Sequence, residues 1–233
     1  MNSNGHKNLV EALSHSKIYK DYERAFSEAT GLPLMLRSIE SWQLPLHGKR
    51  TESPFCGLMA QKSRSCAACL QVQQELSNVA GRNARTVCCF AGLFDTAVPV
   101  RLGDQVIGLL QTGQVFHRKP TSGQFERAAK QIAEWGVEFD RQELKQAYFA
   151  TRTLSPKQYQ STVKLLQIFA QHLSLVSNQV LMQQQNAEPQ MISKAKEFIR
   201  QHQGEALPLG QVAKAVNPST FYFCKMFKKI PGL

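Results

Sequence analysis

No stretch of the sequence approaches the ~18 uninterrupted apolar residues that a membrane-spanning helix needs. Residues Met1 to Lys7 include no apolar core of a secretion signal, so the expectation is a cytoplasmic protein. Acidic side chains are scarce, with 17 Asp and Glu against 28 Lys and Arg, which leaves a formal net charge of +11. Charged residues make up only 19% of the chain and apolar ones 42%, a globular rather than a disordered balance. The catalytic signatures that sequence can carry are also missing. There is no phosphate-cradling Gly-rich loop, no His-Glu-x-x-His and no Gly-x-Ser-x-Gly elbow. His6, His15, His47, His117, His172 and His202 show no metal-ligand spacing. An enzyme is therefore not expected.

What remains is a medium domain followed by a small one. Residues 14–29 have helical apolar spacing, and Gly31 follows as a stop. A short strand at 32–37 leads into a loop through Trp42, Pro45, Gly48 and Pro54, and residues 66–79 read as a helix. Strands follow at 86–89, 97–101 and 106–115, with Gly103-Asp104 as the turn of a hairpin. Helices are predicted at 125–135 and 141–148, and a long one from Ser155-Pro156 to about Gln185. That helix has two apolar stripes: Tyr159, Val163, Leu166, Ala170 and Leu173 on one, Leu165, Phe169 and Val176 on the other. Such a pattern fits either a wide buried face or a homodimer. A polar run from Gln183 to Gln190 reads as a linker, giving domains at 10–187 and 191–233. The charge is +7 up to Ala187 and +4 after it, so the short tail is the more basic part. Basic balance favours a polyanion as partner.

In the tail, an amphipathic segment around Ile192 to Arg200 precedes helical residues 209–215, a Val216-Asn217-Pro218 turn and a last helix from Ser219. This is helix-turn-helix order. Leu209-x-x-Val212-Ala213, then Ser219-x-x-Tyr222-Phe223-Cys224-Lys225-x-Phe227-Lys228-Lys229-x-x-Gly232, resembles the first helix-turn-helix of an AraC-type DNA-binding domain. The resemblance implies core roles for Leu209, Val212, Ala213, Phe223 and Phe227. It implies DNA-facing roles for Ser219, Thr220, Phe221, Cys224 and Lys225, with Lys228 and Lys229 near phosphates. The AraC-type pattern has two such units and the match here covers only the first, so weak DNA binding is expected from this chain.

Five of the six cysteines fall between Cys56 and Cys89. Cys66-x-x-Cys69 has a soft-metal or redox spacing, and Cys56 with Cys88 or Cys89 would complete four thiolates around Zn²⁺ or an Fe–S centre. The candidate ligand set is Cys56, Cys66, Cys69 and Cys89. A redox thiol pair or simple burial are the other readings. Around them run Phe26-x-x-Ala29-Thr30-Gly31-Leu32-Pro33-Leu34, Phe55-Cys56, and Cys89-Phe90-Ala91-Gly92-Leu93-x-Asp95-x-Ala97-Val98-Pro99-Val100. Gly108-x-x-x-x-Gly113-Gln114-Val115-Phe116 follows. Together these resemble the sensory domain of PocR-type transcriptional activators. The resemblance implies an α+β, PAS/GAF-like antiparallel sheet with flanking helices, and a sensor of simple hydrocarbon derivatives such as short diols. Trp42, Phe55 and Phe90 are the candidate apolar walls of a ligand pocket, with Asp95, Gln111 and Gln114 as its polar groups.

The expected function is a ligand-responsive transcriptional regulator, in which the α+β domain passes a ligand signal through the long helix to a small all-α DNA-binding module. Its partners would be a small molecule, DNA and a second copy of the chain. The alternatives are a cysteine-based metal or redox sensor, and a dimerising sensor without DNA binding.

Overall fold

The apolar runs between Leu34 and Val115 fold as a four-stranded antiparallel sheet in the order β1-β4-β3-β2, comprising β1 (Leu34–Ser38), β2 (Arg85–Cys88), β3 (Phe94–Leu102) and β4 (Gln105–Val115). The structure is a computed structural model and describes residues 3–39, 44–79, 83–186, 190–202 and 207–216. The expected hairpin is present: β3 and β4 pair across Gly103-Asp104, with Gly103 at φ 58°. Both central strands are buried over most of their length, which is why they read as continuous apolar runs rather than alternating ones.

The helices among the described residues are α1 (Ser3–His15), α2 (Lys17–Thr30), α3 (Pro54–Ala60), α4 (Ser63–Val79), α5 (Ser122–Glu134), α6 (Arg141–Ala150), α7 (Pro156–Asn186), α8 (Gln190–Gln201) and α9 (Leu209–Ala215). Two of them depart from the sequence reading. α1 precedes the predicted first helix, with Leu9, Val10 and Leu13 buried. α3 replaces part of the expected loop, because Ser53 accepts the Cys56 N–H as N-cap and Pro54 fits the first turn.

Side-chain alternation on β3 places helices on both faces. Ala97 packs with Leu76 of α4, while the neighbouring Thr96 hydroxyl meets the Tyr159 hydroxyl of α7 at 2.8 Å. Successive strand residues point to opposite faces, so α4 and α7 sandwich the sheet. At the end of the sheet, α3, α5 and α6 enclose a second core of Phe55, Met59, Leu93, Phe116, Phe125, Ile132, Leu144 and Tyr148.

Contact density divides the chain into two compact units, Met1–Asn178 and Gln179–Leu233. In the second, Ala195 of α8 buries against Val212 and Ala213 of α9. Leu209, expected in that core, is half exposed instead, because it opens the first turn of α9 beyond the contact with α8. Residues 217–233, which carry the predicted last helix, lie outside the described residues.

Tyr148 is the hub of the second core. It is fully buried, contacts the rings of Phe55, Phe116 and Phe125, and donates its hydroxyl to the Ala91 carbonyl at 2.8 Å. Tyr148→Phe is expected to cost about 1–1.5 kcal/mol by leaving that carbonyl unpaired. Tyr148→Ala should cost about 3–5 kcal/mol by opening a cavity. Urea denaturation of the two variants checks both figures.

Candidate functional site

Where β3 leaves the second core, its pairing with β4 slips. Phe94 pairs with Val115 but Asp95 pairs with Gly113, so Gln114 is an extra residue in a β-bulge. Gln114 has φ 61°, and among the described residues it is the one non-glycine with a left-handed backbone. Such a conformation costs of order 1 kcal/mol or more and persists only where surrounding contacts hold it. Here the contact is to α3: the Gln114 side-chain oxygen accepts the Ser53 N–H at 2.9 Å. Ser53 in turn caps α3 and shares a 2.8 Å hydrogen bond with Thr151. Gly113 is required beside it, since a Cβ there would lie 2.6 Å from the Asp95 Cα and the Phe94 carbonyl oxygen.

The bulge aims Asp95 into a cavity of about 40 Å³, whose wall also carries Leu46, Glu52, Cys56, Cys69, Val72, Gln73, Cys89, Phe90 and Gln114. By the ~10–15 Å³ that one water requires, the room equals about three water-sized groups. Asp95 Oδ1 is buried and has no hydrogen-bond partner. Burial pushes the Asp95 carboxyl up to about 7, against a smaller downward pull from the backbone N–H of Gln114. The thiols respond in the same direction. Burial, reinforced by each other and by Asp95, raises Cys69 and Cys89 to about 12 and Cys56 well above the ordinary thiol value. At neutral pH the three thiols are uncharged.

Of the expected pocket residues, Phe90, Asp95 and Gln114 line the cavity. Phe55 does not; it is core, edge-on to Tyr148 with ring centroids 5.2 Å apart. Gln111 stands one layer behind the wall. It is fully buried, accepts from Arg37 Nε at 3.0 Å and donates to Gln73, which does reach the cavity. Trp42 lies outside the described residues, as do Ser219, Thr220, Phe221, Cys224, Lys225 and Lys228.

The proposed thiolate set is not gathered. Cys56, Cys69 and Cys89 share the cavity wall, but Cys66 is not part of it. Among the described residues, no group of three or more His, Cys, Asp or Glu side chains is placed to hold a metal ion. The expected strand ends at Cys88, which is exposed, and Cys89 lies in the turn just after it, at the cavity.

Sequence reasoning missed Gln73, Val72, Glu52 and Leu46. Cys69, Val72 and Gln73 lie at i, i+3 and i+4 on α4, so the face was readable from Cys69. Leu46 and Glu52 come from a loop with no such periodicity. Glu52 is held there by hydrogen bonds from the Gly48 N–H at 2.9 Å and with His47 at 3.0 Å.

A larger open groove of about 470 Å³ lies between the β3 edge and α7. It contains none of the buried unpaired side-chain atoms found among the described residues. Instead Ser174 and Asn178 of α7 accept the Arg101 and Gly103 backbone N–H groups, closing the edge of the sheet. The enclosed cavity is therefore the better site.

A sheet-and-helix domain with a small cavity and a buried carboxyl on its wall has the form of a small-ligand site. The family model described as the sensory domain found in PocR matches residues 14–178, and the chain belongs to that family. A curated relative, Regulatory protein PocR of Salmonella typhimurium, is 23% identical over 236 aligned positions, covering 94% of this chain and 75% of the relative. No solved structure matches. Among the described residues no helix is long and apolar enough to cross a membrane.

Asp95 gives this site a pH signature. Its native pKa lies above the unfolded value of 3.8, so the folded state holds the proton more tightly. Stability is greatest below the unfolded pKa and falls as pH rises toward about 7, by at most about 1.4 kcal/mol per pH unit. Asp95→Asn is expected to flatten that slope and to be more stable than wild type at pH 8. Denaturant titrations at several pH values check this; an unchanged slope would show that Asp95 is not the source.

Proposed function

We propose that this chain is the sensing part of a cytoplasmic, ligand-responsive transcriptional regulator, and not an enzyme. The observation that carries the reading is Asp95, a buried carboxyl on the wall of a small cavity, whose Oδ1 has no hydrogen-bond partner within the protein. A buried acceptor without a partner is costly, and a ligand hydroxyl that donates to it removes the cost. Gln73 and Gln114 supply amide groups to a second polar atom. Cys56, Cys69, Cys89, Phe90, Val72 and Leu46 cover carbon. That lining suits a neutral molecule of a few heavy atoms, in line with a short alcohol or diol. At a ceiling of about 1.5 kcal/mol per heavy atom, a ligand of about three heavy atoms binds no tighter than roughly 0.5 mM. Uncharged thiols favour this reading over redox sensing.

The route to the DNA-binding module begins next to Asp95. Thr96 links by hydroxyl contacts to Thr86 of β2 at 2.7 Å and to Tyr159 of α7 at 2.8 Å. A ligand that favours one setting of the bulge thereby favours one setting of α7. In this reading α7 leads on to a helix-turn-helix module around α8, α9 and residues 217–233, whose basic side chains meet DNA phosphates, and the regulator acts as a homodimer.

Calorimetry and thermal shift with two- to four-carbon alcohols and diols test the proposal. At least one of them should stabilise the protein, and Asp95→Asn should weaken its binding about 10- to 100-fold, the worth of a hydrogen bond to a charged group. Tyr159→Phe should leave binding intact while reducing the ligand's effect on hydrogen exchange along α7. Saturating concentrations of all of them with no shift in midpoint would contradict the reading.

A further inference from the structure

α7 carries an apolar stripe that its own domain does not use. Leu165 and Ile168 are each 54% exposed and Leu175 is 64% exposed, while Tyr159, Leu166, Ala170 and Leu173 are buried on the other side of the helix. Together with the exposed His172, the outward residues are spaced three, four and three apart, the a/d repeat of a two-helix seam. From Leu165 to Asn186 the sequence contains no Asp, Glu, Lys or Arg, in a chain that is 19% charged. Two copies of a protein with net charge +11 repel, so a self-contact must form where charge is lacking. This stripe satisfies that condition. Beyond Lys164, one turn before Ile168, it offers no cations to a nucleic acid and no ion-pair partners to a charged peptide. The surface that matches its spacing is a helix with the same spacing, which the stripe itself supplies.

We propose that Leu165, Ile168, His172 and Leu175 dock against the same four residues of a second copy of this chain, helix on helix. The contact rests on the pairing reading above and names the face that does it. His172 occupies a core position of the seam, where a polar side chain lowers affinity and fixes register. The seam lies on the helix that Tyr159 ties to the cavity strand, so a shift of α7 driven by ligand also shifts the seam.

Sedimentation velocity of the full chain, wild type against Ile168→Lys/Leu175→Lys, tests the proposal. Both side chains are more than half exposed, so the variant should fold, and an unchanged near-ultraviolet circular dichroism spectrum confirms it. The expected result is a wild-type dimer and a folded monomeric variant, with association weakened at least 100-fold. His172→Leu should tighten the dimer. A wild-type chain that stays monomeric would overturn the pairing reading altogether. A dimer that survives the double substitution would overturn this face alone. A monomer whose melting temperature falls on substitution would instead assign the stripe to another part of the same chain.

Discussion

The site depends on one carboxyl group buried on a central strand beside a small cavity. Asp95 sits on a central strand, and its Oδ1 has no partner in the folded chain. Holding it there requires the bulge, the left-handed Gln114, the glycine before it and the Ser53 cap of α3. None of these contacts maximises stability. A regular β3–β4 ladder with an apolar residue at position 95 would avoid both the desolvation and the backbone strain. The energetic cost makes this place the candidate site.

The same carboxyl explains the cysteines. Burial raises the pKa of all three thiols and of the acid, and the acid raises the thiols further, so the pocket favours neutral, protonated forms. A redox centre needs a thiolate, and a thiolate is favoured by nearby positive charge. Arg37 is the buried cation of this region, and its Nε and terminal nitrogen donate to Gln111 and Ser77 rather than to sulfur or a carboxylate. The cysteines thus act as soft, weakly polar wall.

Much of the architecture was readable. The Gly103-Asp104 hairpin, the strands flanking it and the long helix from Ser155-Pro156 carry strong local signals, and all are present. α3 was legible but overlooked, since Ser53-Pro54 is a helix-start pair embedded in a stretch of turn-forming residues. The site was legible in its parts rather than its geometry. Phe90, Asp95 and Gln114 were candidates, yet nothing in the sequence says that Gln114 takes a positive φ. That conformation is fixed by Ser53, 61 residues earlier in the chain. Gln111 illustrates the opposite error, because strand alternation puts it on the correct face while Gln73 of α4 stands between it and the cavity.

The most direct test of the account is carboxyl-carbon NMR of protein labelled at aspartate, titrated with and without a small diol. The account predicts one aspartate, assigned to Asp95 by its loss in the Asn variant, with a midpoint near 7. Bound diol should lower that midpoint, since a hydroxyl donor favours the charged form. An Asp95 that titrates in the ordinary carboxylate range and ignores the diol would contradict the account.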